Sequence, residues 1–429
     1  MNKRSILSYS FDILLIFVFF YAMVFKGIPF ATSKFVLLYL FIVVNKKLLV
    51  TKGVNNSFLK YCFTVGVVFS AYYFSMTVFS GNYNFGFLQQ TSWFFFEGIF
   101  GSYCLFTYLS KKYSPNQILY LIVWVFLAQS LFVIACYINS NLRDLIDNVL
   151  VINDDRYLSS SRMKGFSNSG GAGLSYLQTI GVFTACSLFL VEKTKRNIYF
   201  LILSIVIITV SQIFIARTGM FFSILIIAGM VLQRAINKGS LVTFSKQVLG
   251  IGILAFLVFN AYFLLIPSDK AEAFNDKVLG RALEFYENYE SSGEFSTNST
   301  TALNSMYFLP KTELQTLFGA GIWDDAPGTR KTYSRQVDSD VGYVRIIFAV
   351  GLFASIFFYS IYFRFLKGLY ESEFSRYFKL GLLCLLLIFV MGEFKEPFLI
   401  RSSGIIKSLC LIYFIYTQKL SKELKPKLS

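Results

Sequence analysis

Residues 198–235 read IYFLILSIVIITVSQIFIARTGMFFSILIIAGMVLQRA, an apolar stretch whose only charge before Arg234 is Arg217, in the triplet Arg217-Thr218-Gly219. As one helix it would be about 57 Å long, nearly twice the roughly 30 Å hydrocarbon core of a bilayer. It must therefore fold back, with the turn at Arg217. Two apolar runs of membrane-crossing length in tandem set the class of the chain, and its composition agrees. Hydrophobic residues make up 55% of the 429 positions, charged residues 15%, and there are 50 Phe. Soluble domains carry about 25% charged residues. Disorder and a disulfide scaffold are excluded. The six cysteines (Cys62, Cys104, Cys136, Cys186, Cys384, Cys410) stand singly in apolar runs and read as packing residues. Histidine is absent, so His-based triads and His-ligated zinc or haem are excluded.

Working outward, the chain shows about 12 runs of spanning length: 8–25, 28–44, 59–79, 92–109, 117–138, 170–191, 198–215, 219–235, 248–267, 341–363, 379–394 and 400–417. The expected fold is an all-α polytopic membrane protein. The first run follows Met-Asn-Lys-Arg without a small-residue cleavage site and reads as a retained helix. Lysines and arginines set the orientation. With the N-terminus inside, the seven inside segments hold 22 of the 40 basic residues and only four acids, Glu192, Glu371, Glu373 and Glu423. Both termini are thus expected in the cytoplasm. The net charge of +16 becomes a topogenic signal and not a nucleic-acid surface. The expected organisation is helices one to nine over 1–267 with an outer loop at 139–169, a large outer loop over 268–340, and helices ten to twelve with a basic tail over 341–429. The large loop has seven basic and twelve acidic residues. Helical pieces are expected at 269–290 and at 301–318, the second bent by Pro310.

The informative polar residues lie at the outer edge. Arg162 precedes the sixth helix, Arg217 is the apex of the fold-back, and Arg345 lies one turn into the tenth helix. Glu393, Lys395, Glu396 and Arg401 crowd the last outer turn. The positive-inside bias disfavours cations here, so they call for another cause. Guanidinium groups gathered at one depth suit a phosphate or pyrophosphate, whose oxygens they pair bidentately. Asp338, Asp340 and Glu396 are candidate bases. Trp323, Tyr333 and Tyr343 are candidate stacking platforms for sugar rings, with the aromatic belt as the plainer reading. Asp12, Lys34, Glu97 and Lys407 fall inside apolar runs, where ion pathways and structural pairs are both open.

At these residues the chain resembles the bacterial O-antigen and polysaccharide polymerases of the Wzy type. Arg162-Met163-Lys164-Gly165-Phe166-Ser167-Asn168 is similar to the family's Arg-x-x-Gly-Phe-x-Asn segment, and Arg162 stands in Arg-x10-Gly spacing to Gly173. Ala216-Arg217-Thr218-Gly219 resembles its Ser-Arg-Thr-Gly turn. Ser339-Asp340-Val341-Gly342-Tyr343-Val344-Arg345, followed by Gly351, resembles the segment opening the next helix, and Lys395-Glu396-Pro397 the last outer turn. One departure is that the large loop lacks Arg-x10-Gly; Lys331 and Gly342 have the spacing with another cation.

The resemblance implies a glycosyltransferase of polysaccharide and lipopolysaccharide biosynthesis in the bacterial inner membrane. It would transfer a growing glycan from undecaprenyl pyrophosphate to a sugar hydroxyl of a new lipid-linked unit. It implies no cofactor and no metal. Its partners would be lipid-linked glycans, membrane lipids, and a flippase and chain-length regulator of the same pathway, with no nucleic acid. Arg162, Arg217, Arg345, Lys395 and Arg401 would hold the pyrophosphate, with Asp338, Asp340 and Arg345 catalytic. The rivals are an O-antigen ligase, which relies on a loop histidine this chain lacks, a shape-and-division peptidoglycan polymerase of about ten helices, and a flippase or transporter.

Overall fold

A computed structural model describes residues 3–44, 56–81, 85–151, 162–168, 170–238, 250, 253, 288–290, 293, 301, 303–323, 339–372, 374–401 and 403–423. Those residues are mostly helical, with no strand among them. In chain order the helices are α1 Lys3–Tyr21, α2 Thr32–Val43, α3 Ser57–Phe79, α4 Gly86–Trp93, α5 Gly101–Leu109, α6 Pro115–Ile138, α7 Ser140–Val149, α8 Gly171–Val191, α9 Lys195–Ser211, α10 Arg217–Lys238, α11 Glu313–Phe318, α12 Gly342–Glu371, α13 Phe374–Glu393, α14 Phe398–Arg401 and α15 Ser403–Glu423. A π-helical segment, Phe94–Phe100, joins α4 to α5.

Local chemistry sets several starts. The Asn56 side chain accepts from the amides of Phe58 and Leu59 at 3.1 Å and opens α3. Pro115 fills the first position of α6, while Gln117 Oε1 accepts from the Ser114 amide at 2.8 Å. The 198–235 stretch does fold back. Helix α9 tightens into a 3-10 turn at Gln212–Phe214, and α10 begins at Arg217. Helix α8 is buried from Gly171 through Phe189 and forms the axis of the bundle. Helices α6, α9, α10, α13 and α15 pack around it. Gly219 makes the contact between α8 and α10 possible. A Cβ there would meet Ser175 Oγ at 1.9 Å and the Ser175 carbonyl oxygen at 2.5 Å.

Among the described residues, six helices are long and apolar enough to cross a membrane: Ser57–Phe79, Pro115–Ile138, Gly171–Val191, Lys195–Phe214, Arg217–Asn237 and Gly342–Glu371. Leu7–Tyr21, Thr32–Val43 and Gly404–Thr417 are shorter apolar helices. Helices occupy eleven of the twelve apolar runs, and the run 248–267 lies outside the described residues apart from positions 250 and 253.

The charges inside the apolar runs are paired. Glu97, in the π segment, accepts from Lys407 and from Ser33. Lys407 is fully buried and also faces the Phe19 ring at 4.9 Å. Asp12, fully buried, accepts from Lys112 at 3.1 Å, Tyr113 at 2.7 Å and Tyr108 at 3.0 Å. Lys34 lies 3.8 Å from the Trp93 ring centroid. These groups read as structural pairs between helices.

The large loop departs from expectation where it is described. The piece at 301–318 is not one bent helix. Residues 307–310 are non-helical, and α11 starts only after Thr312, whose side chain accepts from the Gln315 amide at 3.2 Å. Pro310, with no amide to donate, breaks the helix instead of bending it. The piece expected at 269–290 is described only at 288–290. Helix α7 arises in the 139–169 loop, where no helix was expected; Asn139 caps it at 3.0 Å from the Asn141 amide.

Candidate functional site

The fold-back turn, the loop before α8 and the turn after α13 converge at one end of the bundle. The Met163 amide donates to the Phe214 carbonyl at 2.8 Å, which sets the Arg162 segment beside the entry to α10. Ser175 Oγ donates to the Ala216 carbonyl at 2.7 Å, and Thr179 Oγ1 to the Gly219 carbonyl at 3.0 Å. Arg217 is thereby fixed as the first residue of α10. From the other side, Lys395 reaches across and donates to Thr218 Oγ1 at 2.8 Å. Its turn is held from below by Glu393, which is 1% exposed. That carboxylate accepts from the Leu399 amide at 2.8 Å and from Tyr359 Oη at 2.7 Å.

Electrostatics join these pieces into one site. Burial pushes the Lys395 ammonium down from its ordinary value of 10.5. Glu396 and Asp340 oppose the shift, while Arg162 and Arg217 add to it. Five charged residues from four separated segments therefore share one field, with three cations against two acids. Such a set has a net charge of +1 and favours an anion.

Asp340 and Arg345 are set by a break in α12. Gly351 has φ +76°, and the turn 318–323 inserts there. The amides of Ala320 and Gly321 donate to the carbonyls of Phe348 and Ala349 at 2.8 and 3.2 Å. Broken helices are tolerated in apolar surroundings only where other groups re-satisfy the freed backbone. The approach is close: a Cβ on Gly351 would meet the Gly319 nitrogen and the Leu317 oxygen at 2.4 Å. The turn is also tied to α3, where Tyr72 Oη donates to the Phe318 carbonyl at 2.6 Å.

Each candidate residue has a definite place. Arg162, Arg217, Lys395, Glu396 and Asp340 are brought together, with Asp340 and Arg162 exposed. Arg345 is engaged elsewhere. Its Nε donates to the Ser339 carbonyl, and its Nη1 lies 3.5 Å from the Trp323 carbonyl, so it binds the loop to α12. Trp323 is 2% exposed and packs on Phe87 at 4.4 Å between centroids. Trp323, expected as a sugar platform, has its ring packed inside the protein in this structure. Tyr343 is half-buried and lies against Phe394 at 4.9 Å, with its hydroxyl on the Val390 carbonyl at 3.0 Å. Asp338, Tyr333 and the side chain of Arg401 lie outside the described residues.

In comparisons with known proteins, no family model matches the chain, and none of the curated proteins or solved structures matches it either. The site is thus read from its own geometry. That geometry adds two residues the sequence reading did not single out. Thr218 orients Lys395, and its signal was its place in the Arg217-Thr218-Gly219 turn. Lys164, two positions after Arg162, is buried; nothing in the pattern of the segment distinguished it from a loop lysine.

No group of three or more His, Cys, Asp or Glu residues able to hold a metal occurs among the described residues.

Proposed function

We propose that this chain is a polysaccharide polymerase that joins lipid-linked repeat units at the outer face of the bacterial inner membrane. The observation that supports this most directly is the convergence of Lys395, Arg217 and Arg162 with Asp340 and Glu396 at one end of an apolar helical bundle. On this reading the chain crosses the membrane twelve times, with both termini in the cytoplasm. The cationic end faces the periplasm beside the 268–340 loop. A hydroxyl oxygen of the incoming lipid-linked unit attacks the anomeric carbon of the growing glycan. The bond from that carbon to the pyrophosphate oxygen breaks, and the pyrophosphate leaves with the electron pair. Lys395, Arg217 and Arg162 stabilise its developing charge, the largest single contribution expected in such a site. Asp340 accepts the hydroxyl proton, with Asp338 as the neighbouring candidate. The large loop aligns the two glycans. Arg345 acts through the loop that it holds, and Arg401 and Tyr333 belong to the same rim.

The test is a glycan ladder from cells carrying substitutions. Removing one charged donor to a transition-state anion lowers turnover by about 100-fold or more. Arg217→Ala and Lys395→Ala are each expected to abolish long chains while single lipid-linked units persist. Normal ladders from both variants overturn the anion site. A deletion strain separates the rivals: one repeat on the acceptor marks a polymerase, units trapped inside mark a transporter, and free polymer never joined to its acceptor marks a ligase.

A further inference from the structure

Beneath the Lys395 turn lies a buried carboxylate that no step of the proposed reaction uses. Glu393 ends α13 and is 1% exposed. Its Oε1 accepts from the Leu399 amide at 2.8 Å, a first-turn donor of α14 that has no partner within its own helix. Its Oε2 accepts from Tyr359 Oη of α12 at 2.7 Å. Both partners are neutral, and among the described residues no lysine or arginine pairs with it. A buried carboxylate without a cation is costly, so its presence calls for a reason.

Two pieces of the candidate site meet on this group. One is the turn that carries Lys395 and Glu396. The amides of both residues donate to the Gly392 carbonyl, at 2.9 and 3.1 Å, and the bond from Leu399 to Glu393 closes the turn. The other is the start of α12. Gly342, its first residue, lies so close to the carboxylate that a Cβ there would overlap Glu393 Oε2 and come within 2.8 Å of the Pro397 Cα. Asp340 stands two residues before Gly342. Ser339 Oγ accepts from the Val341 amide at 3.1 Å and donates to the Met306 carbonyl at 2.8 Å, so the backbone on both sides of Asp340 is fixed. One carboxylate thus sets the cation-bearing turn against the acid-bearing segment.

We propose that Glu393 is a positioning residue that holds Lys395 and Asp340 at the separation transfer requires. The proposal rests on the polymerase reading, in which Lys395 faces the leaving pyrophosphate and Asp340 takes the hydroxyl proton. Glu393 acts through its reach and not through its charge. Glu396, Arg162, Arg217 and Asp340 lead the charges acting on Lys395, and Glu393 is not among them. Misplacing a reacting group by about 1 Å can cost about 100-fold in rate. Binding an anion needs only the cations, so it tolerates a shift that transfer does not.

The experiment separates reach from charge. Glu393→Asp keeps the charge and withdraws the carboxylate by one carbon–carbon bond, about 1.5 Å. Glu393→Gln keeps the reach and removes the charge. Its amide oxygen still accepts from Leu399, and the Tyr359 hydroxyl can turn to accept from its nitrogen. With no cation beside it, neutralisation leaves no uncompensated charge. Each variant is read by the glycan ladder of cells at equal protein level. The full chain in nanodiscs of zwitterionic lipid supplies a thermal melt and a calorimetric titration with inorganic pyrophosphate. Glu393→Asp is expected to lower long-chain glycan about tenfold or more, with pyrophosphate affinity within about threefold of wild type. Glu393→Gln is expected to keep a near-normal ladder. Tyr343 Oη still ties α12 to the Val390 carbonyl at 3.0 Å, so the melt is expected to hold. If the Glu393→Asp melt falls, Tyr359→Phe decides in its place, with long chains expected to drop about threefold or more at unchanged pyrophosphate affinity. Loss of long chains in Glu393→Gln makes the charge essential and overturns the proposal. Pyrophosphate affinity that falls in step with the ladder overturns it too, because Glu393 then supports the Lys395 turn alone. A normal ladder in a well-folded Glu393→Asp also overturns it, and short chains in Lys395→Ala leave the polymerase reading standing without it. Normal ladders in Lys395→Ala and Arg217→Ala as well remove both.

Discussion

Lys395 carries the residue-scale argument because its charge depends on what lies around it. Burial holds its pKa below 10.5, and Arg162 and Arg217 hold it lower still, with Glu396 and Asp340 in opposition. A bound phosphate favours the charged form, so above the free-state value binding takes up a proton. Affinity at this site is then expected to fall as pH rises through that value, by at most about tenfold per pH unit. Arginine stays charged throughout, so Lys395→Arg should flatten the profile. Pyrophosphate titrations of the full chain across pH check this, and a wild-type profile flat to pH 10.5 sinks it. For folding the sign is opposite: between the folded-state value and 10.5 the unfolded chain binds more protons, so stability rises with pH in that window. How far the sequence revealed this site differs residue by residue. Arg162, Arg217 and Lys395 stood out as cations on the disfavoured side of the topology. Arg345 stood out for the same reason, yet its partners are loop carbonyls, which no charge pattern distinguishes from a substrate. Trp323 was equally ambiguous, since an aromatic that packs and one that waits for a sugar are spelled alike.

At the scale of elements, the buried pairs and the broken helix decide which segments can move. Glu97 and Lys407 join the π segment to α15, and Ser33 adds α2 to the same carboxylate. Removing one partner of a buried pair leaves an uncompensated charge, at a cost of about 3–5 kcal/mol, whereas replacing both with apolar or neutral groups is often close to neutral. Glu97→Gln is therefore expected to lower the unfolding midpoint in detergent sharply. Glu97→Gln combined with Lys407→Met should recover most of it; equal losses in the single and double variants would show the pair to be unimportant. The break in α12 makes a separate prediction. Gly351→Ala forces a Cβ into the Gly319 turn at 2.4 Å and into a φ of +76°. It is expected to expel the 318–323 turn and to cost at least 1–3 kcal/mol of strain. The hydrophobic runs announced the helices, because burial in lipid demands their length and composition. The break did not announce itself, because a lone glycine in an apolar run reads the same whether or not a distant loop enters there.

At the scale of the molecule, the bundle places the polar convergence at one end and the Glu192 junction at the other. Helix α8 runs from the rim at Gly171 to Val191, where Glu192 accepts from the amides of Lys193 and Thr194 at 2.9 and 2.8 Å. The hydrogen bond from Tyr120 leads the causes that pull the Glu192 carboxyl down to about 2. That junction stays charged at any pH a cell meets, as suits a fixed corner among basic loops. On the proposed topology the surplus of lysine and arginine orients this end inward. The orientation has a direct check, because all six native cysteines are buried and free and so give little background to thiol labelling. Asp340 and Lys193 are exposed at opposite ends of the bundle. Asp340→Cys is expected to react with a membrane-impermeant maleimide in intact cells, and Lys193→Cys only after the membrane is opened. The reverse pattern would place the cationic rim in the cytoplasm, where lipid-linked glycans awaiting polymerisation are not found. The Arg217 and Lys395 variants would then have to act on a different anion, and the polymerase reading would fall with the topology that supports it.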